Sequence, residues 1–253
     1  MRTLIRALPV AAALALASAS ATGEQTIIDS GNFVVHAGTR TLGIESFSIE
    51  DRGDSLAMFS QVEQLFPRAD GPADSLTKNT FLYANSFDYG LHMYQSTQRL
   101  QGRKLLRAVV MDGDTTMSLF RENDRGGEGD KLPAPPGRMY VIDTQVFTLF
   151  NMICLSLHGQ SFESRPITLL VLGPRDSLVE ARVSRLGTET IRWGTREVQA
   201  EKLSIGDDQS TFYAWTGPRG EMLRLSQPGA GLRVEREAPK VKRRTAPPPK
   251  PGG

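Results

Sequence analysis

The sequence predicts a mainly β protein: a single strongly curved antiparallel sheet, a half-barrel of up-and-down strands, with one covering α-helix. Three observations carry this. Short β-type runs recur every 8–12 residues between turn residues. Most connections are tight, which favours a meander over a Greek key. One segment alone, residues 143–157, shows apolar residues at helical spacing. With 39% hydrophobic residues and a mean hydropathy of −0.28, the chain is neither wholly disordered nor a multi-span membrane protein.

Residues 1–21 (MRTLIRALPVAAALALASASA) read as a secretory signal peptide. Arg2 and Arg6 supply the positive start, an uncharged apolar stretch follows, and Ala19-Ser20-Ala21 offers small residues for cleavage. The apolar run is too short to cross a bilayer comfortably. The mature chain is therefore expected to fold in an oxidising space. The single cysteine, Cys154, forms no internal disulfide and is expected to be buried. Without the two leader arginines, 28 basic residues face 28 acidic ones. Residues 238–253, expected to be a disordered Pro-rich tail, hold five basic residues and no acid, so residues 22–237 carry a net charge of −5. A basic nucleic-acid-binding face is therefore not expected.

The elements follow in order. Residues 32–37 and 42–49 flank a hairpin-like turn, with an apolar phase change between Ile44 and Phe47 that suggests a bulge. Residues 55–66 and 75–84 bracket the turn sequence PRADGPAD. Strands follow over 91–98, 104–111 and 115–121. Residues 123–137 (NDRGGEGDKLPAPPG) read as a surface loop inside one domain, with a domain linker as the alternative. Residues 139–142 are a strand or the entry to the helix. Over residues 143–157, Asp143 can cap the helix and Gly159 can end it, while Val146, Phe147, Leu149, Phe150, Ile153, Cys154 and Leu157 form its apolar stripe. Polar interruptions at Asp143, Gln145 and Asn151 argue against a membrane span. Strands continue over 166–172, 178–186, 188–193, 197–205, 210–216, 221–226 and 232–237, with RLGT, GDDQ, GPRG and QPGAG as turns.

Chemistry-bearing patterns are sparse. Asp29-Ser30-Gly31 resembles an aspartic-protease motif, but no second copy exists to share a proton, and turn chemistry before the first strand explains it. His36, His92 and His158 lack zinc-ligand spacing, and partly buried structural imidazoles are expected at His36 and His92. No nucleophile elbow, Walker loop or paired cysteine motif occurs. No catalytic residue, metal or cofactor is expected. The large residues Phe147, Phe150, Trp193, Tyr213 and Trp215 are the candidate ligand-binding residues, as the lining of a cavity that one helix does not fill; ordinary core is the alternative.

Residues 187–203 (GTETI…EVQAEKL), then Phe212-Tyr213-Ala214-Trp215, Gly220 and Leu223-Arg224-Leu225, resemble a family of uncharacterised secreted bacterial domains. That family is similar in architecture to the LolA/LolB-like lipoprotein carriers, although no lipidation cysteine follows the leader here. The resemblance implies a half-barrel over residues 32–237 and no catalytic residues. The expected function is a periplasmic binding or carrier protein for an apolar or amphipathic ligand, such as a lipid, held between sheet and helix. The alternatives are a structural or interaction protein of the cell envelope with a filled core, and a hydrolase with an unrecognised site. The basic tail offers a contact to an envelope protein or an anionic membrane surface.

Overall fold

A computed structural model describes residues 26–239 other than 67, 69, 70 and 72. The leader, and the tail beyond Pro239, lie outside the described residues. The first half of the chain forms β1 (Thr26–Ala37), β2 (Arg40–Asp51), β3 (Ser55–Phe66), β4 (Asp74–Asn85), β5 (Leu91–Leu100), β6 (Arg103–Met111), β7 (Thr116–Asn123) and β8 (Gly126–Pro133). The second forms β9 (Met139–Asp143), helix α1 (Thr148–Leu157), β10 (Ser164–Leu172), β11 (Ser177–Trp193), β12 (Arg196–Gly206), β13 (Thr211–Thr216), β14 (Met222–Gln227) and β15 (Leu232–Arg236).

The chain is mainly β, with a single curved open sheet of 15 strands in the order β8-β7-β6-β5-β4-β3-β2-β1-β15-β14-β13-β12-β11-β10-β9. The first strand pairs antiparallel with the last, Val35 opposite Val234, so the two ends of the described chain meet in mid-sheet. The free edges, β8 and β9, come from the middle of the sequence. Among the described residues only β9 and β10 pair parallel, because α1 intervenes as a crossover. Curvature carries β9 alongside β5, but no shared ladder joins these two strands. The sheet is therefore wrapped like a barrel and left open along a seam.

Inward positions of both halves and nearly every residue of α1 form one apolar core, running from Phe33, Ile49 and Met58 through Leu149 and Ile153 to Leu203 and Val234. Burying this face against the sheet is what makes so short a helix stable.

Several expectations are corrected. Residues 123–137 are not all loop: Gly126–Pro133 is an edge strand paired with β7, exposed at every position. It has no apolar face, so alternation could not mark it, and its glycines and charges suit an unprotected edge. Residues 177–193 form one strand. The RLGT turn is a bulge at Leu186 and Gly187, with Gly187 at φ 97°. Strand β2 pairs regularly with β3 from Gly43 onward, and the bulge lies instead at Leu42, opposite Val35 and His36. The phase change was apparent only: the inward run is Glu45, Phe47 and Ile49, and its first member is a buried acid. The Asp29-Ser30-Gly31 segment lies within β1 rather than before it. There the buried Asp29 forms a bidentate ion pair with Arg236 of β15 and accepts a bond from Asn151 Nδ2 of α1 at 2.8 Å.

Candidate functional site

The seam between β5–β6 and β9–β11 carries two different kinds of chemistry along its length. At the end of β9 it is closed by side chains. Asp143 Oδ1 accepts from Lys78 Nζ at 2.6 Å, and its Oδ2 accepts from Tyr94 Oη at 2.6 Å and Ser96 Oγ at 2.9 Å. Lys78 Nζ also donates to the Thr144 carbonyl at 2.8 Å. Arg107 Nη2 donates to the Gly173 carbonyl at 2.8 Å, and Arg121 pairs with Asp176 at 2.6 Å in the β10–β11 turn. Thus side chains of β4, β5, β6 and β7 tie the open edge without a main-chain ladder across it. Lys78 is only 1% exposed. Burial pulls its ammonium pKa below the usual value, and the Asp143 charge opposes that pull. Burial, then the Asp143 charge, raises the Tyr94 phenol well above its ordinary value.

Asp143 was expected to cap the helix. Its carboxylate is committed to this cluster, and residues 143–146 make a turn, with Val146 N–H bonded to the Asp143 carbonyl at 3.1 Å. The helix starts later, at Thr148, and its N-terminus is served from another strand. Glu45 of β2 accepts the Phe147 N–H at 2.7 Å, the Thr148 N–H at 3.2 Å and the Thr148 hydroxyl at 2.7 Å. Ser60 of β3 supplies a further hydroxyl at 2.5 Å. Burial nonetheless raises the Glu45 pKa, and these donors oppose the shift. Gly159 follows the helix at φ 71°, as expected of a residue that ends it.

At the start of β9 the seam opens instead. A groove of about 1320 Å³ runs between the β4–β5 and β6–β7 turns on one side and β9, β10 and β11 on the other. Leu91, Met111, Met139, Tyr140, Ile167 and Leu178 contribute its apolar lining. Asp88, Asp114, Arg138, Arg165 and Glu180 add charge. Leu178 is 41% exposed, an apolar side chain left in contact with water on the groove wall. The β4–β5 turn at its rim is fixed by local bonds: Asn85 Oδ1 accepts the Phe87 N–H at 2.7 Å and Asp88 Oδ1 the Gly90 N–H at 2.9 Å.

The five expected ligand-binding residues do not line one cavity. Phe147 and Phe150 are buried in the main core beneath the helix, where Phe150 packs on Phe212 at 4.6 Å. Trp193 and Trp215 belong to a separate small cluster with Ile191, Ala200 and Leu223. This lies on the outer face, because Phe212 and Ala214 of β13 point inward and Tyr213 and Trp215 therefore point out. Lys202 Nζ sits 5.3 Å from the Tyr213 ring and 5.1 Å from that of Trp215. Glu189 accepts from Lys202 at 2.7 Å and from the Trp215 indole at 2.8 Å, and these two donors hold its carboxyl below the usual range. The groove residues were missed because they are six apolar positions scattered over five strands, which no spacing in the sequence brings together.

The histidines stand apart. His36 is half-buried beside Thr41, and His158 ends the helix. His92 is exposed, against the expectation drawn from its shared phase with Tyr94. The ladder pairs Tyr83 with Met93 and Ala84 with Leu91, so His92 is the extra residue of a bulge and loses that phase. Among the described residues no group of three or more His, Cys, Asp or Glu is placed to hold a metal, and no helix is long and apolar enough to cross a membrane.

No family model matches the chain, and no curated protein matches it. Among solved structures, the chain is similar to a β-barrel-like protein of a domain of unknown function, DUF1849, from Brucella abortus. The TM-score is 0.53 at 9% sequence identity, over 82% of this chain and 95% of that one. At this identity the likeness shows the fold alone. It supports an uncharacterised β-barrel-like domain, and not the particular likeness to LolA/LolB-like carriers.

Proposed function

We propose that this protein is a non-enzymatic periplasmic binding or carrier protein for an apolar or amphipathic ligand, with the seam groove as its binding site. The observation that carries this reading is the groove itself: about 1320 Å³ of open space with an apolar lining, at the one place where the sheet fails to close. Ligand sites are concave, largely apolar and few per protein. The gain from burying an acyl chain there is about 0.8 kcal/mol per CH₂. The site thus moves from beneath the helix, where Phe147 and Phe150 already pack into the core, to the mouth of the seam. The polar cluster around Asp143 is sealed from solvent and fits a closing device better than a hydrolytic centre. In this reading the basic tail, with five basic residues and no acid, contacts an anionic membrane surface.

The test is native mass spectrometry with lipid extraction of the purified mature protein, together with uptake of the neutral dye N-phenyl-1-naphthylamine. Leu178→Glu, which puts a charge on the groove wall, is expected to weaken dye uptake about tenfold. Trp215→Ala, on the outer face, is expected to leave it unchanged. The reading fails if the wild type takes up neither lipid nor dye.

The packing of Phe147 and Phe150 favours a second reading, an envelope structural or interaction protein with a filled core. A clean apo mass and specific cross-linking to an envelope partner support that one instead. A screen with broad esterase and protease substrates addresses the hydrolase alternative.

A further inference from the structure

We infer that the ligand of the seam groove is an amphipathic anion whose head group is held by Arg138, an inference that rests on the groove being a binding site. Arg138 is half-buried in the groove lining, one residue before β9. Among the described residues it has no ion-pair partner. Its one hydrogen bond runs from Nη1 to the Tyr140 hydroxyl at 3.4 Å. A guanidinium has five N–H donors in a fixed fork, suited to carboxylate and phosphate. A half-buried guanidinium without an acid beside it is the complement of an anion the protein does not itself supply.

The neighbouring protons are ordered to suit. The Ser156 hydroxyl of α1 donates to the Ile153 carbonyl at 2.8 Å, so its oxygen can only accept from Tyr140, 2.7 Å away. The Tyr140 proton is thereby spent on Ser156, and the Tyr140 oxygen is left to accept from Arg138. The chain Arg138 to Tyr140 to Ser156 to the helix backbone fixes the guanidinium from one side and leaves its remaining donors for the groove. The acids of the groove do not neutralise it. Asp88, Asp114 and Glu180 are exposed side chains on other segments, and among the described residues none of them forms an ion pair with Arg138. Beside the guanidinium, Met139, Ile167 and Leu91 provide the surface for a chain.

The experiment uses the full mature chain and measures displacement of N-phenyl-1-naphthylamine by palmitate, lysophosphatidate with the same acyl chain, and uncharged hexadecanol. The wild type is expected to bind at least one of the two anions about tenfold or more tightly than hexadecanol. The stronger of the two then identifies a carboxylate or a phosphate head. Arg138→Gln is expected to weaken the preferred anion about tenfold more than it weakens hexadecanol or the dye, and Arg138→Lys to restore part of that preference. Equal binding of anions and hexadecanol by the wild type overturns the inference and leaves the groove intact as an apolar site. So does an equal loss of all three ligands in Arg138→Gln. Absence of any uptake by the wild type overturns the groove and the inference together.

Discussion

Glu45 caps the helix from 102 residues away: its carboxylate accepts the backbone N–H of Phe147 at 2.7 Å. Helix N-termini are ordinarily capped by a residue next to them. Here the cap comes from β2, so the position of the helix over the sheet is set by the sheet. A buried carboxylate satisfied in this way is stable only while its donors stay in place.

This arrangement gives a pH dependence. Burial raises the Glu45 pKa in the folded protein above its ordinary 4.5. Between those two values the folded state binds the proton more strongly than the unfolded state, so stability falls as pH rises from about 4.5 to the folded pKa. Glu45→Gln cannot lose a proton. The melting temperature of the wild type relative to Glu45→Gln is expected to decline across that window, followed by circular dichroism. A constant difference would remove the assignment.

The seam cluster makes a second prediction. Lys78→Met leaves Asp143 without its closest cation and is expected to cost about 3–5 kcal/mol in urea unfolding. Replacing both members, Lys78→Met with Asp143→Leu, is expected to recover only part of that loss, since the buried Arg107, 3.4 Å from Asp143, then loses its carboxylate partner. A single-variant cost below about 1 kcal/mol would mean that the sheet does not depend on this closure.

Cys154 provides a third. It is buried on the helix, and burial pushes its thiol up to about 12. The thiolate is the reactive form. In the native protein at pH 8, a thiol reagent such as dithionitrobenzoate is expected to react only as fast as the protein unfolds, and stoichiometrically in guanidinium chloride. Rapid native labelling would contradict the placement of the helix.

Two glycines test the register. A methyl group on Gly43 would lie 2.0 Å from the Glu63 carbonyl oxygen of β3, whereas one on Gly129 of the edge strand would meet nothing nearer than 3.5 Å. Gly43→Ala is expected to cost about 2 kcal/mol or more, and Gly129→Ala to stay within about 0.5 kcal/mol. Equal effects would place β2 and β3 in a different register.

Most strands were legible because one face is apolar and the turns are rich in Gly, Asp and Pro; Ser55–Phe66 is bounded as its sequence indicates. Gly126–Pro133 was hidden because it buries nothing. Glu45 and Asp143 were misread for one shared reason. Each is a local polar signal, an apparent break in alternation and an apparent cap, whose meaning depends on a partner far along the chain. The aromatic residues Trp193, Tyr213 and Trp215 were placed inside by size alone, when their strand phase turns them outward. The groove was not legible, since a seam exists only after the sheet has curved.

The pairing of Thr26–Ala37 with Leu232–Arg236 bears on how the molecule is made. A chain made from its N-terminus delivers its first strand some two hundred positions ahead of the partner it needs on one side. Until the last hairpin arrives, that side is a bare template exposed to any passing extended chain. Contacts so remote in sequence are slow to form. A circularly permuted version, opened between Pro133 and Met139 and joined across the original ends, would place every antiparallel neighbour next in sequence and should refold faster to the same sheet.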